Sequence, residues 1–217
     1  MPEVTLGEAE IALRLGRVHE LCGSARRTLA LAVAAETGGP VVWVTVQGAA
    51  ETLCADAIAE LMEPGQILFV TVPKRDMLLW AMEEALRDGQ APVVVGDLTA
   101  PPAMVPVRRL HLAAEAGCGG GVCRPLALLL TPDDGGAPGI ETRWSLEPAH
   151  HEGQGHWTIS RLRARMAPPR EWVMMHTRTG LKPRAPRPKR SPDIPANPAD
   201  FARNSLPDPE ETTQSVG

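Results

Sequence analysis

Short, nearly uninterrupted apolar runs recur along the chain with helical stretches between them: residues 41–46 (VVWVTV), 67–72 (ILFVTV), 92–97 (PVVVGD) and 125–130 (PLALLL). Runs of this length without polar alternation fit strands buried on both faces, and their alternation with helices is the pattern of a mostly parallel sheet with helices packed against it. Residues 17–22 (RVHELC) supply an earlier strand that ends at Gly23. Residues 28–36 (TLALAVAAE) read as a helix stopped by Gly38, Gly39 and Pro40. Further helices are predicted over residues 49–62, 76–87 with Asp76 as N-cap, and 105–116, and a short one over 5–15. The pattern then changes. Residues 141–146 and 157–165 form an expected antiparallel hairpin, extended by 171–175. The fold class is therefore α/β, a mostly parallel sheet flanked by helices and ending in an antiparallel hairpin.

The chain has 217 residues and 22 prolines, ten of them after residue 167. From Thr179 onward the sequence has neither helical nor strand period, so one core domain over residues 1–177 and a disordered or extended tail over 178–217 are expected. No apolar run reaches the roughly 18 residues of a membrane span, and no basic segment followed by an apolar one opens the chain, which predicts a soluble, cytoplasmic protein. The four cysteines read as free thiols and not as a disulfide framework. Cys118 and Cys123 are spaced too widely for a zinc knuckle, and His150, His151 and His156 lack further ligands in fixed positions, so no metal site is expected.

Charge is unevenly spread. Residues 1–160 carry a net −9, residues 161–192 a net +9 and residues 193–217 a net −4. Arg161, Arg163 and Arg165 alternate along one predicted strand face, and Lys182, Arg184, Arg187, Lys189 and Arg190 follow in the proline-rich stretch. Such a stripe suits phosphate backbones or an acidic partner; as a plain alternative it is a solvated strand face with a solubilising tail. No stacking aromatics or groove-reading helix accompany it, so any DNA contact would lack sequence preference.

In βα units, ligands sit at the carboxyl ends of strands. The first such turn reads Gly23, Ser24, Ala25, Arg26, Arg27, Thr28. It is two residues shorter than the phosphate-binding pattern G-x-x-x-x-G-K-[ST], lacks the second glycine and has arginine for lysine. Arg26 and Arg27 fit either an anion grip at a helix start or, more simply, a solvated turn. At the next strand end Gln47 stands where a water-activating carboxylate is needed, and an amide cannot take that proton. The strand 92–97 does end in an acid, Asp97, suited to orienting magnesium or to capping a turn. Gly23, Ser24, Arg26, Arg27, Thr28 and Asp97 thus form a degenerate nucleotide site. Met77, Trp80 and Met82 fall at helical spacing and read as core or subunit contact.

These three strand ends, with residues 16–23 (GRVHELCG), 40–46 (PVVWVTV), 77–86 (MLLWAMEEAL), 91–98 (APVVVGDL), 108–116 (RRLHLAAEA), the trio Thr142, Arg143 and Trp144, and residues 157–165, resemble the RecA-like ATPase core and more closely the ImuA family of RecA-related, SulA-related mutagenesis proteins. The resemblance covers about residues 16–175. It implies a RecA-like fold, an accessory role in the SOS response to DNA damage, and as partners an ImuB-like inactive Y-family polymerase homologue, an error-prone replicative-type polymerase and RecA. The family's glycine-rich N-terminal entry is replaced here by residues 5–15. The stretch TPDDGGAPG after Leu130 has two aspartates and no cation, which argues against strand exchange. The expectation is a non-catalytic adaptor in translesion mutagenesis, with no nucleotide or magnesium required. A weak ATPase using Asp97, or a SulA-like division inhibitor, are the alternatives.

Overall fold

The computed structural model describes residues 2–7, 11–49, 53–150, 155–177 and 180–184. The chain divides into two units, Met1–Ala185 and Pro186–Gly217, and every described residue belongs to the first.

Among the described residues, nine strands form one sheet. In chain order the parallel core contains β3 (Val18–Cys22), β4 (Val41–Val46), β5 (Ile67–Val72), β6 (Val93–Asp97), β7 (Leu126–Leu130) and β8 (Thr142–Pro148). The antiparallel strands β9 (His156–Ala164), β10 (Arg170–Thr177) and β11 (Gly180–Arg184) follow, and the spatial order is β11-β10-β9-β8-β3-β7-β6-β4-β5. Strands β3, β6 and β7 are buried at every position, although β3 holds His19 and Glu20 and β6 ends in Asp97; the unbroken apolar run of β7 is what a strand covered on both faces requires. Helix α1 (Arg26–Thr37) packs on one face through Leu29, Leu31 and Val33; helices α3 (Arg75–Asp88) and α4 (Met104–Gly120) cover the other through Leu78, Met82, Leu86 and Leu110. The strands predicted at residues 17–22, 41–46, 67–72, 92–97 and 125–130, and the late hairpin, are all present to within a residue or two.

Several expectations need correction. The N-terminal stretch is not a helix over 5–15 but a two-stranded hairpin, β1 (Glu3–Thr5) and β2 (Ala12–Arg14), lying against α1. Val4, Leu6, Ile11 and Leu13 are buried at every second position, a strand period, and Gly7 at φ +68° breaks any helix between them. Of the helix expected over 49–62, the described part is the short α2 (Ala55–Ala59), followed by a 3-10 turn over Pro64–Gln66; residues 50–52 lie outside the described residues. Pro64 sits where it cannot continue a helix. Asp76 is not the N-cap of α3. Lys74 holds that position, and Asp76 falls in the first turn, where its charge suits the helix dipole.

The tail is ordered further than expected. Residues 180–184 form the edge strand β11, because Leu181 is 2% exposed in the core under α1 and Pro183, tolerated on an edge, lies against Gly7. The rest of the predicted tail, with Arg187, Lys189 and Arg190, lies outside the described residues.

Candidate functional site

Gly23 ends β3 with φ +83°, turning the chain into α1 at the carboxyl end of the sheet. A Cβ on Gly23 would stand 2.5 Å from Glu147 Oε1 and 2.7 Å from the Leu146 carbonyl oxygen, so only glycine fits. The neighbour responsible is a carboxylate from β8. The Ser24 amide donates to Glu147 Oε1 at 3.0 Å and the Ser24 hydroxyl to Glu147 Oε2 at 2.5 Å. An internal anion therefore takes the donors that a phosphate would meet in a working loop. Two further amides of the turn are also engaged, Gly23 with the Asp133 carbonyl at 2.9 Å and Ala25 with the Leu146 carbonyl at 3.0 Å.

The arginines behave differently from two solvated surface groups. Arg26 Nη1 donates back to the Gly23 carbonyl at 3.2 Å, which tightens the turn. Arg27 Nε donates to Asp97 Oδ2 at 2.6 Å, with both side chains largely buried (20% and 8% exposed). Asp97 is thus the partner of an arginine from α1, joining the first turn to the end of β6. Thr28 is half-buried in the first turn of α1. Gln47, just past β4, is exposed, and its backbone amide bonds the Val72 carbonyl at 2.8 Å. Asp97 also borders a cavity of about 340 Å³ whose other walls include Trp43, Leu53 and Phe69 together with Thr45 and Thr71.

Beneath this turn lies a buried polar network that sequence reasoning missed. Glu20, fully buried in β3, accepts from Thr131 Oγ1 (2.8 Å), Gly136 N (2.8 Å), Ala137 N (3.0 Å) and Arg143 Nε (2.5 Å). It ties the loop after β7 to β8. His19, also fully buried, sits in a directed chain. The Trp144 indole N–H donates to Thr142 Oγ1 (2.8 Å), that hydroxyl donates to His19 Nδ1 (2.6 Å), and His19 Nε2 donates to the Arg14 carbonyl (3.0 Å). Burial holds the imidazole at about 4, well below its usual range. Cys22, buried with its thiol near the Trp144 carbonyl, is pushed up to about 12 by burial first and by the Glu20 charge next, which makes it an inert structural thiol.

The expected basic stripe is split. Register pairs Trp144 with Arg161 but Arg143 with Arg163, a bulge of one extra residue in β9. Consecutive β8 residues point to opposite faces, so Arg161 and Arg163 do too. Arg161 lies over the rings of Trp144 and Trp172 at 5.6 and 5.2 Å, Arg165 is one residue beyond β9 and reaches Glu141 at 3.5 Å, and Arg163 is exposed. Aromatics do accompany the arginines, contrary to expectation, yet Trp144 and Trp172 are 1% and 5% exposed and offer no open face to a base. Lys182 is paired with Glu36 of α1, and Arg184 occupies the last position of β11.

Met82 is fully buried, whereas Met77 and Trp80 stand 41% and 56% exposed on α3. Cys118 and Cys123 are free, and Cys123 Sγ donates to the Gly89 carbonyl at 3.0 Å. His150 Nδ1 accepts from the His156 amide, and His151 lies outside the described residues. Among the described residues no group of three or more metal-ligating side chains gathers, and no helix is long and apolar enough to cross a membrane. No protein-family model and no curated protein matches the chain.

Proposed function

We propose that the chain is a non-hydrolysing adaptor of the RecA-like, ImuA type, serving damage-induced translesion mutagenesis through contacts with an inactive Y-family polymerase homologue, an error-prone replicative-type polymerase, RecA and DNA. One observation carries the loss of hydrolysis. The only acid retained from the expected magnesium-handling set, Asp97, is ion-paired to Arg27 at 2.6 Å. A guanidinium there supplies the positive charge that a magnesium ion would bring, and it is covalently part of the chain. Glu147 on Ser24 acts in the same direction, since like charge repels a phosphate from the donors it holds. The amide of Gln47 supplies no general base. The pathway and its protein partners come from the resemblance described above, and DNA contact from the basic residues between 161 and 190.

Two measurements test the reading. Phosphate release from ATP by the full chain is expected at buffer background; release that Asp97→Ala abolishes would replace the adaptor with a slow ATPase. Mixed with the polymerase homologue of the same organism, the full chain is expected to elute as a stable complex on size exclusion, and separate elution at micromolar concentrations would remove the pathway assignment.

A further inference from the structure

The two edges of the large sheet are built differently. At one edge β11 carries Lys182 and Pro183, a cation and a residue without an N–H, and Gly7, which follows β1, lies against Pro183. Charge, proline and a covering turn are the devices that keep an edge from pairing with another chain. At the other edge β5 (ILFVTV) has no charge and no proline, and among the described residues it pairs with β4 alone.

The backbone of β5 turns a defined set of groups outward. The Gln47 amide donates to the Val72 carbonyl, so Val72 faces β4, and by the alternation of a strand Val70 and Leu68 do the same. The peptide groups of Ile67, Phe69 and Thr71 therefore point away from the sheet. The Ile67 N–H donates to the Pro64 carbonyl in the preceding 3-10 turn, whereas the N–H and C=O groups of Phe69 and Thr71 have no partner among the described residues. Side chains on this segment are open as well. Leu68 is 61% and Phe69 50% exposed, on opposite faces of the sheet. Large apolar side chains on both faces of an edge strand gain contacts from a further strand laid beside them.

We propose that β5 is a dimer interface, at which β5 of a second copy of this chain pairs antiparallel and joins the two sheets into one. The strand that fits must be uncharged, apolar on both faces and free along its outer side, which describes β5 itself; the opposite edge, β11, fails by Lys182 and Pro183. Self-pairing also matches donors to acceptors. Whether Phe69 lies opposite Phe69 or opposite Thr71 of the second copy, outward-facing residues stand against outward-facing residues, and the N–H groups of both find carbonyls. In sequence, Glu60 and Glu63 precede β5, and Lys74, Arg75 and Asp76 follow it. Antiparallel pairing sets the acidic end of one copy beside the mixed end of the other, where parallel pairing would set the acidic ends together. A two-fold contact of this kind closes after one pairing, so it yields a dimer and no filament. The inference does not rest on the proposed adaptor function.

Sedimentation velocity of the full chain, from micromolar concentration to about 0.1 mM, tests it. The expected result is a species of twice the chain mass that dissociates on dilution, with nothing larger. Thr71→Pro removes an outward N–H and leaves the bonds to β4 in place, as an edge strand tolerates. Phe69→Lys sets a cation on each copy beside the two-fold axis, at a side chain exposed enough to be spared by the fold. Each is expected to raise the dimer dissociation constant at least tenfold, with the circular dichroism and melting of the dilute monomer unchanged; should Thr71→Pro not fold, Phe69→Lys decides. A full chain that stays monomeric throughout, a dimer that either folded variant leaves equally tight, or a mass that keeps growing with concentration overturns the proposal.

Discussion

Glu20 illustrates how much one buried carboxylate organises here. It is fully enclosed, yet donors from the loop after β7 and from Arg143 reach it, so its charge is offset on several sides. Removing the acid strands Arg143, 18% exposed, and leaves two backbone amides unmatched. Glu20→Ala is expected to cost about 3–5 kcal/mol in urea unfolding; a cost below about 1 kcal/mol would mean that the network is replaceable by water. His19 makes a pH prediction. Its folded value, about 4, lies below the ordinary 6.5, so the unfolded chain takes the proton first. Stability attributable to this group is complete above about pH 6.5 and falls as pH drops towards 4, at about 1.4 kcal/mol per pH unit. A protonated Nδ1 also ends the acceptance from Thr142. His19→Asn should flatten the slope of unfolding free energy between pH 6.5 and 4.5 relative to wild type. Parallel slopes for the two proteins would contradict the assignment.

Among the elements, β11 separates core from tail. Its Leu181 fills the space under α1, and its Lys182 meets Glu36. Ending the chain after Thr177 is therefore expected to lower the melting temperature by several degrees, since losing one buried leucine alone costs about 2–5 kcal/mol. Ending it after Ala185 should leave the transition nearly in place, and equal melting of the two truncations would deny β11 a structural role. The sequence hides such a strand because a five-residue edge containing Lys and Pro has no period to read. The central strands were legible for the opposite reason: runs such as Leu126–Leu130 suit little except burial on both faces. Residues 5–15 read as a helix because Leu, Ala and Glu, all good helix formers, dominate them; the deciding features are Gly7 and burial at alternate positions within each strand. The β9 bulge has no sequence signature, so the face carried by Arg163 could not be foreseen. Glu147 and Ser24 are 123 positions apart, as are Glu20 and Arg143, and such pairings exist only once strand order places β8 beside β3.

At the scale of the whole molecule, the two ends of the sheet differ in character. At the carboxyl end Arg27 sits on Asp97 and Glu147 on Ser24, while Arg26 Nε is buried without a hydrogen-bond partner among the described residues. At the amino end Arg14 and Arg165 share the Glu141 carboxylate. An α/β sheet of this kind ordinarily presents its chemistry at the carboxyl end, so internal ion pairs there favour a scaffold over an engine. Titration of the full chain with magnesium ATP, followed by calorimetry alongside the Asp97→Ala variant, examines that contrast most directly. The account predicts no saturable, magnesium-dependent heat for either protein up to millimolar nucleotide. One-to-one binding by the wild type that needs magnesium and disappears in Asp97→Ala would contradict it.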